Sequence, residues 1–304
     1  MNASKFGKLL AAATCTFLFS SCQSPGGPES DIRTIDGLEL QLSGLEDLPD
    51  SREYVVRLSQ AFGRVELARF RDGSTQQREL SFSELESLPG DELEIYIESS
   101  SGEPLISHRL LAGRMWNTDA VLSFSSGTGI NTDNARIQYI LETPSTSSED
   151  DYDLGMYWCV PGDFIGIPDP VSGPPPPEVV PVLPAGWVYE GWIIQQGEAP
   201  ISTGRFPEVL VADSDGNGPF AGPEPGMPFP GQEFIDPPLS LPGKGLWLSI
   251  EPEPDYSAAP SGFILLADEL IEDPGPLVQQ AIAISNNERG SLPSANAALR
   301  LASN

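Results

Sequence analysis

Ser87-Leu88-Pro89-Gly90-Asp91-Glu92-Leu93-Glu94-Ile95-Tyr96-Ile97-Glu98 recurs as Ser240-Leu241-Pro242-Gly243-Lys244-Gly245-Leu246-Trp247-Leu248-Ser249-Ile250-Glu251, with seven of twelve positions identical. Self-similarity at this level constrains the fold more than any single motif, because each copy must build the same supersecondary unit. Three further matches keep the same order. Leu48-Pro49 with Tyr54 answers Leu183-Pro184 with Tyr189, Ala68-Arg69-Phe70 answers Gly204-Arg205-Phe206, and Leu110-Leu111-Ala112-Gly113 answers Leu265-Leu266-Ala267-Asp268. The second copy carries 18 extra residues, within the Asp/Gly/Pro-rich stretch from Val211 to Pro238.

The matched blocks read as strands. Leu93, Ile95 and Ile97 alternate with Glu94, Tyr96 and Glu98, and Leu246, Leu248 and Ile250 with Trp247, Ser249 and Glu251; a period of two places one set inward and the other toward water. Tyr54 to Leu58 and Trp187 to Ile194 are rich in β-branched and aromatic residues, which suit a pleated surface. Pro49, Pro89, Pro184 and Pro242 stand just before strands, where a missing donor does little harm. Many short strands punctuated by Gly, Pro, Asn and Asp predict an all-β chain of two tandem immunoglobulin-like β-sandwich domains arising from the internal repeat. Ile137 to Leu141 and Met156 to Val160 are two more strand-like runs, and Pro168 to Pro184 is a stiff proline-rich connector.

The first residues have the pattern of a targeting segment. Lys5 and Lys8 precede an uncharged apolar run from Leu9 to Phe19, and Phe19-Ser20-Ser21-Cys22 puts small residues directly before a cysteine. The run is too short to span a bilayer, which needs about 20 residues, and fits a secretory signal. It resembles the bacterial lipobox, which implies diacylation of Cys22 as the mature N-terminus; an ordinary cleaved signal with an unmodified cysteine is the alternative. The expected layout is a signal peptide over 1–21, a flexible polar tether over 22–32, and a first sandwich over 33–115. A second sandwich with connector and acidic insertion follows over 116–275. The tail over 276–304 is expected to hold one short helix near Leu277 to Ile284 and to be loose beyond it.

Across 304 residues, 44 Asp and Glu face 16 Lys and Arg, and removing Lys5 and Lys8 leaves a mature charge of −30. A phosphate backbone needs clustered cations, so nucleic acid is excluded as partner. The same charge repels anionic headgroups and leaves acyl chains as the anchor. A single histidine, His108, excludes chemistry that needs a His pair. Its alignment with Phe263 reads it as a strand residue rather than a triad member. With Cys15 in the signal and Cys22 as lipid site, Cys159 has no intramolecular partner and reads as a small buried hydrophobe.

Tyr189-Glu190-Gly191-Trp192, Pro200-Ile201-Ser202-Thr203-Gly204-Arg205-Phe206, Ile250-Glu251-Pro252, Pro260-Ser261-Gly262 and Ile264-Leu265-Leu266-Ala267 together resemble the extracytoplasmic C-terminal domain of anti-sigma-K factors. The resemblance covers 182–268 well and 37–113 more weakly. It implies a β-sandwich sensing or binding module, with Ser202 and Gly204 at a turn into a strand and Pro260 and Ser261 opening the last strand. The family's cytoplasmic zinc-binding helical domain and transmembrane helix have no counterpart here, since neither a His-Cys-Cys cluster nor a 20-residue apolar span occurs.

Candidate sites are few. Asp213, Asp215, Asn217, Pro219 and Glu224 fit a calcium-loop spacing, with oxygen ligands at its first, third, fifth, seventh and twelfth places. The same Asp-Gly-Asn-Gly run is also ordinary turn chemistry between strands. Trp187, Trp192 and Trp247 read either as a sugar-stacking platform or as sandwich packing. Glu98 and Glu251, at the same place in both copies, are expected on the solvated face. No catalytic set emerges and no cofactor is required, Ca²⁺ being the one candidate. The functional expectations are a lipid-anchored, non-catalytic binding or scaffold module of the bacterial cell envelope, at the outer membrane or periplasmic face, with an envelope protein or glycan as partner. A calcium-dependent adhesion or carbohydrate-binding module is the first alternative and a regulator in an anti-sigma pathway the second. An enzyme is the weakest, and would need two carboxylates facing each other across a cleft.

Overall fold

The computed structural model describes residues 32–101, 108–159, 180–209, 211, 213, 230–278, 280–283 and 292–303. Antiparallel strands carry the fold, so the all-β expectation holds. In chain order they are β1 (Arg33–Ser43), β2 (Arg52–Gln60), β3 (Gly63–Phe70), β4 (Gln77–Ser87), β5 (Glu92–Ser99), β6 (His108–Arg114), β7 (Asp119–Ser123) and β8 (Arg136–Leu141). Then come β9 (Gly155–Cys159), β10 (Trp187–Ile194), β11 (Ile201–Phe206), β12 (Gly231–Glu233), β13 (Gly245–Pro252), β14 (Ile264–Asp268), β15 (Gln280–Ala283) and β16 (Ser294–Leu301). One short helix, α1 (Phe124–Thr128), follows β7 with Ser123 as its N-cap.

An eight-stranded sheet has the order β3-β2-β5-β6-β7-β16-β1-β4, but β6 and β7 share only the pair Ala112–Ser123. That seam divides it into two four-stranded leaves. Tyr54, Val56, Leu58, Leu93, Ile95 and Ile97 from one leaf enter the same core as Leu38, Leu40, Leu42, Leu122 and Leu299 from the other. Two further sheets, β11-β10-β13-β14 and β12-β9-β8-β15, are tied together by their side chains. Trp158 Nε1 donates to Thr203 Oγ1 at 3.3 Å, and Tyr139 Oη donates to Asp268 Oδ2 at 2.8 Å. Trp158 also meets the rings of Tyr139 and Phe206, each with centroids 6.4 Å away. Gly191 makes room for this, since a Cβ there would stand 2.6 Å from Trp158 Nε1.

The repeated blocks occupy the same places. β3-β2-β5-β6 and β11-β10-β13-β14 have the same order, and Tyr54 opposes Phe70 and Ile97 just as Tyr189 opposes Phe206 and Ile250. A register shift follows Ile95 in one copy and Leu248 in the other. Gly90 and Gly243 both hold a left-handed backbone, φ 94° and 84°, which favours glycine. The amides after them, of Asp91 and Lys244, both donate to the leucine carbonyl three residues back at 3.1 Å.

The correspondence extends to the other leaves, with one rearrangement. β7-β16-β1-β4 matches β15-β8-β9-β12, so β16, at the far end of the chain, stands where β8 stands in the second set. β8 to β15 lie between β7 and β16 in sequence, nested inside the strands of the first set. Two expectations for the tail are corrected. Where a helix was expected near Leu277 to Ile284, Gln280–Ala283 is a strand pairing with β8. Beyond it, β16 is no loose end, since it pairs with both β1 and β7. The boundary drawn at 115/116 falls between β6 and β7. The described residues form one compact unit, and an aromatic cluster explains why. Trp187 stands edge-on to His108 at 5.2 Å and to Phe124 at 5.9 Å, with Phe263 6.1 Å away, so β10 packs into the core beside β6 and α1.

Candidate ligand-binding face

Along β1, β7 and β16, alternation sends Leu40, Leu42, Ala120, Leu122, Ala295 and Ala297 into the core and leaves polar residues on the outer face. Register aligns the outer residues in rows. Val121, Asn296, Gln41 and Gln77 face one another across β7, β16, β1 and β4, and the next row is Asp119, Ala298, Glu39 and Glu79. At the β6–β7 turn, Trp116 N donates to the Asp119 carbonyl at 2.7 Å and Asp119 N returns to the Trp116 carbonyl at 3.1 Å. Asn117, with φ 58°, takes the left-handed turn position that asparagine tolerates. This turn holds Trp116 beside the rows with its side chain 81% exposed; Val121 is 74% exposed.

Together they border a groove of about 490 Å³. Three inter-strand steps make it about 14 Å across. Its chemistry is an indole, three carboxamides and carboxylates; of the guanidiniums around it, Arg300 is held to Asp36 at 2.8 Å and Arg33 Nη2 donates to Asn117 Oδ1 at 3.3 Å. Carboxamides donate and accept while carboxylates accept, so the face can hold many hydroxyl groups at once. An exposed tryptophan on a polar sheet face marks a contact surface.

The three tryptophans singled out from sequence do not form this site. Trp187 and Trp192 are 6% and 2% exposed, and Trp192 Nε1 donates to Ser249 Oγ at 2.8 Å. Trp247 is half-buried. The packing reading holds for Trp187 and Trp192 because core covers their faces. Trp116 escaped notice because it lies outside the repeat. Its only sequence signal is an indole directly before Asn117-Thr118-Asp119, a turn between two strands.

Glu98 and Glu251 correct the expectation of a solvated pair. Glu98 is mostly covered and takes both Arg57 nitrogens, at 2.6 and 2.8 Å. Glu251 is 2% exposed and accepts from Ser261 N at 2.9 Å and from Ser249 Oγ. Burial pushes its carboxyl up to about 7, and does the same to Glu46. Alternation assigned both glutamates to the correct side of their strands, but the second side is covered too.

His108 lies in β6, as expected, with Nε2 3.2 Å from the Glu253 carbonyl and burial lowering its pKa. Cys159 is fully buried, and burial pushes its thiol up to about 12. Of the calcium-loop set, Asp213 accepts from Gly231 N at 2.9 Å through Oδ2 and lies against Gly204. Asp215, Asn217, Pro219 and Glu224 lie outside the described residues, as does Cys22. No group of three or more metal-ligating side chains occurs among the described residues, and no helix among them is long and apolar enough to cross a membrane. Searches of protein-family models and of curated proteins return no match for this chain.

Proposed function

We propose that this protein is a lipid-anchored, non-catalytic binding module of the bacterial cell envelope, built of two immunoglobulin-like sandwiches, and that its outer sheet face takes a neutral glycan. The observation that carries the ligand is Trp116, exposed beside the Asn296, Gln41 and Gln77 carboxamides. A sugar's apolar face stacks on an indole while its hydroxyls pair with amides and carboxylates. The excess of acids around the groove disfavours anionic ligands. Binding is favoured over hydrolysis because Asp119, Glu39 and Glu79, the carboxylates of one row, are all exposed, whereas an acid catalyst sits in an apolar pocket. The anchor rests on Lys5, Lys8, the apolar run and Cys22; the tether over 22–32 would hold the face clear of the bilayer.

Two measurements test this. Titration of the full chain with a panel of neutral oligosaccharides, followed by tryptophan fluorescence, should give a saturable change that Trp116→Ala abolishes. A panel without a Trp116-dependent binder removes the glycan reading. Labelled fatty acid should enter the wild type and not Cys22→Ala, which should become soluble; a variant still on the membrane removes the anchor.

A further inference from the structure

Strand register gathers three exposed apolar side chains at one end of the first sandwich. The β2–β3 turn, the start of β5 and the end of β6 share that end, since Gln60 opposes Gly63, Ser59 opposes Glu92, and Glu92 opposes Arg114. In the facing leaf the same end holds the starts of β1 and β7 and the ends of β4 and β16, through the pairs Arg33–Ser87, Ile35–Leu301 and Asp119–Ala298. Gln60 Nε2 donates to the Glu86 carbonyl at 2.6 Å and joins the leaves here. The second repeat touches the opposite end, at Arg52, His108 and Phe124. Phe62, in the β2–β3 turn, is 98% exposed, and Ile32 and Leu301 are each more than half exposed. Leaves about 10 Å apart and strands about 5 Å apart bring the three into one patch, which marks a contact surface. Trp116 shares this end, but it lines the groove on the outer face.

We infer that this end seats on the surface of the bilayer, with Phe62, Ile32 and Leu301 at the boundary between headgroups and acyl chains. The inference rests on the lipid-anchor reading. Ile32 is where the N-terminal segment joins the described chain, and from Cys22 to Ile32 the chain spans at most about 35 Å. An anchor at Cys22 therefore keeps this end, and not the second repeat, beside the membrane. So short a tether gives a high effective concentration, and a patch of three side chains then suffices for docking. Aromatic and aliphatic side chains suit that boundary. Charge permits the approach as well: Arg33, Arg64 and Arg114 stand here with Glu86 and Asp119 as the exposed acids, and Glu92 is held by Arg109 at 2.8 Å. This end thus escapes the acid excess of the whole chain, and a bilayer without net charge does not repel it. The outer face runs along the strands away from this end, so docking leaves its groove open to the side.

The probe is a phosphatidylcholine vesicle, with or without a nitroxide near the headgroup end of its acyl chains, carrying the protein purified from membranes. Phe62→Cys and, at the opposite end, Asp50→Cys accept a thiol-reactive fluorophore, since Cys159 is buried and the lipid occupies Cys22. The nitroxide should quench the label at position 62 at least about twofold and leave that at position 50 unchanged. Ile32→Asp together with Leu301→Asp, added to Phe62→Cys, should remove most of this quenching, which separates docking of the end from insertion of the dye alone. Flotation with the vesicles reads the anchor separately. A protein that does not float removes the anchor and the docking with it. A floating protein whose label at 62 is quenched no more than the one at 50, or whose quenching survives the two aspartates, overturns the docking alone.

Discussion

Tyr54 and Tyr189 occupy the same position in the two repeats, and each donates its hydroxyl to the carbonyl eight residues upstream, of Glu46 and of Pro181. Burial drives both phenols above their ordinary range, so both stay protonated donors. Each bond ties the segment entering a strand to that strand's own core residue, as in the tyrosine corners of Greek-key sandwiches. Tyr54→Phe and Tyr189→Phe should each lower stability by about 1 kcal/mol. Urea midpoints will check this, and a variant of either tyrosine as stable as wild type would break the equivalence.

Glu251 sets a pH dependence with a definite sign. Its folded pKa, about 7, lies above the ordinary 4.5, so the folded state holds the proton more tightly than the unfolded chain. The stabilising contribution is complete below about pH 4.5 and is lost as pH rises to 7. Glu251→Gln keeps the group neutral. The variant should match wild type at pH 4.5 and exceed it at pH 8 by about 1–3 kcal/mol. Equal differences at the two pH values would show that the carboxyl does not titrate as stated.

Deleting residues 292–304 removes a central strand. β16 pairs with eight residues of β1 and five of β7, so the truncated chain would expose both ladders and open the core at Leu40 and Leu122. Loss of the cooperative thermal transition, or aggregation, is expected. A shortened chain with an unchanged transition would mean that the first leaves close without it.

Cys159 should be inert in the native chain. With Cys15 and Cys22 replaced by serine, its reaction with Ellman's reagent should run at least about 1,000-fold slower than in 6 M guanidinium, because the thiol is buried and little thiolate forms near neutral pH. Reaction at the unfolded rate would place β9 at the surface.

A sheet's period of two is local, so Leu93, Ile95 and Ile97 named their own inward face, and the matching blocks named β5 and β13 as equivalent strands. The left-handed turns at Gly90 and Gly243 and the strand positions of Tyr54 and Tyr189 are fixed by the same short-range geometry. Other features depend on residues far apart in sequence. β16 joins β1 across more than 250 residues, and an eight-residue run of small and polar side chains carries no mark of its partners. Whether a strand's second face meets water depends on what packs over it. That is why Glu251 became buried, Trp187 and Trp192 entered the core, and Trp116, outside the repeat, was left on the surface. Sequence determined the strands of the repeated blocks and their inward faces; the tertiary structure alone decided that the tail adds β15 and β16, which strands became neighbours and which faces stayed open to a ligand, because pairing and coverage are set by contacts that no local pattern encodes.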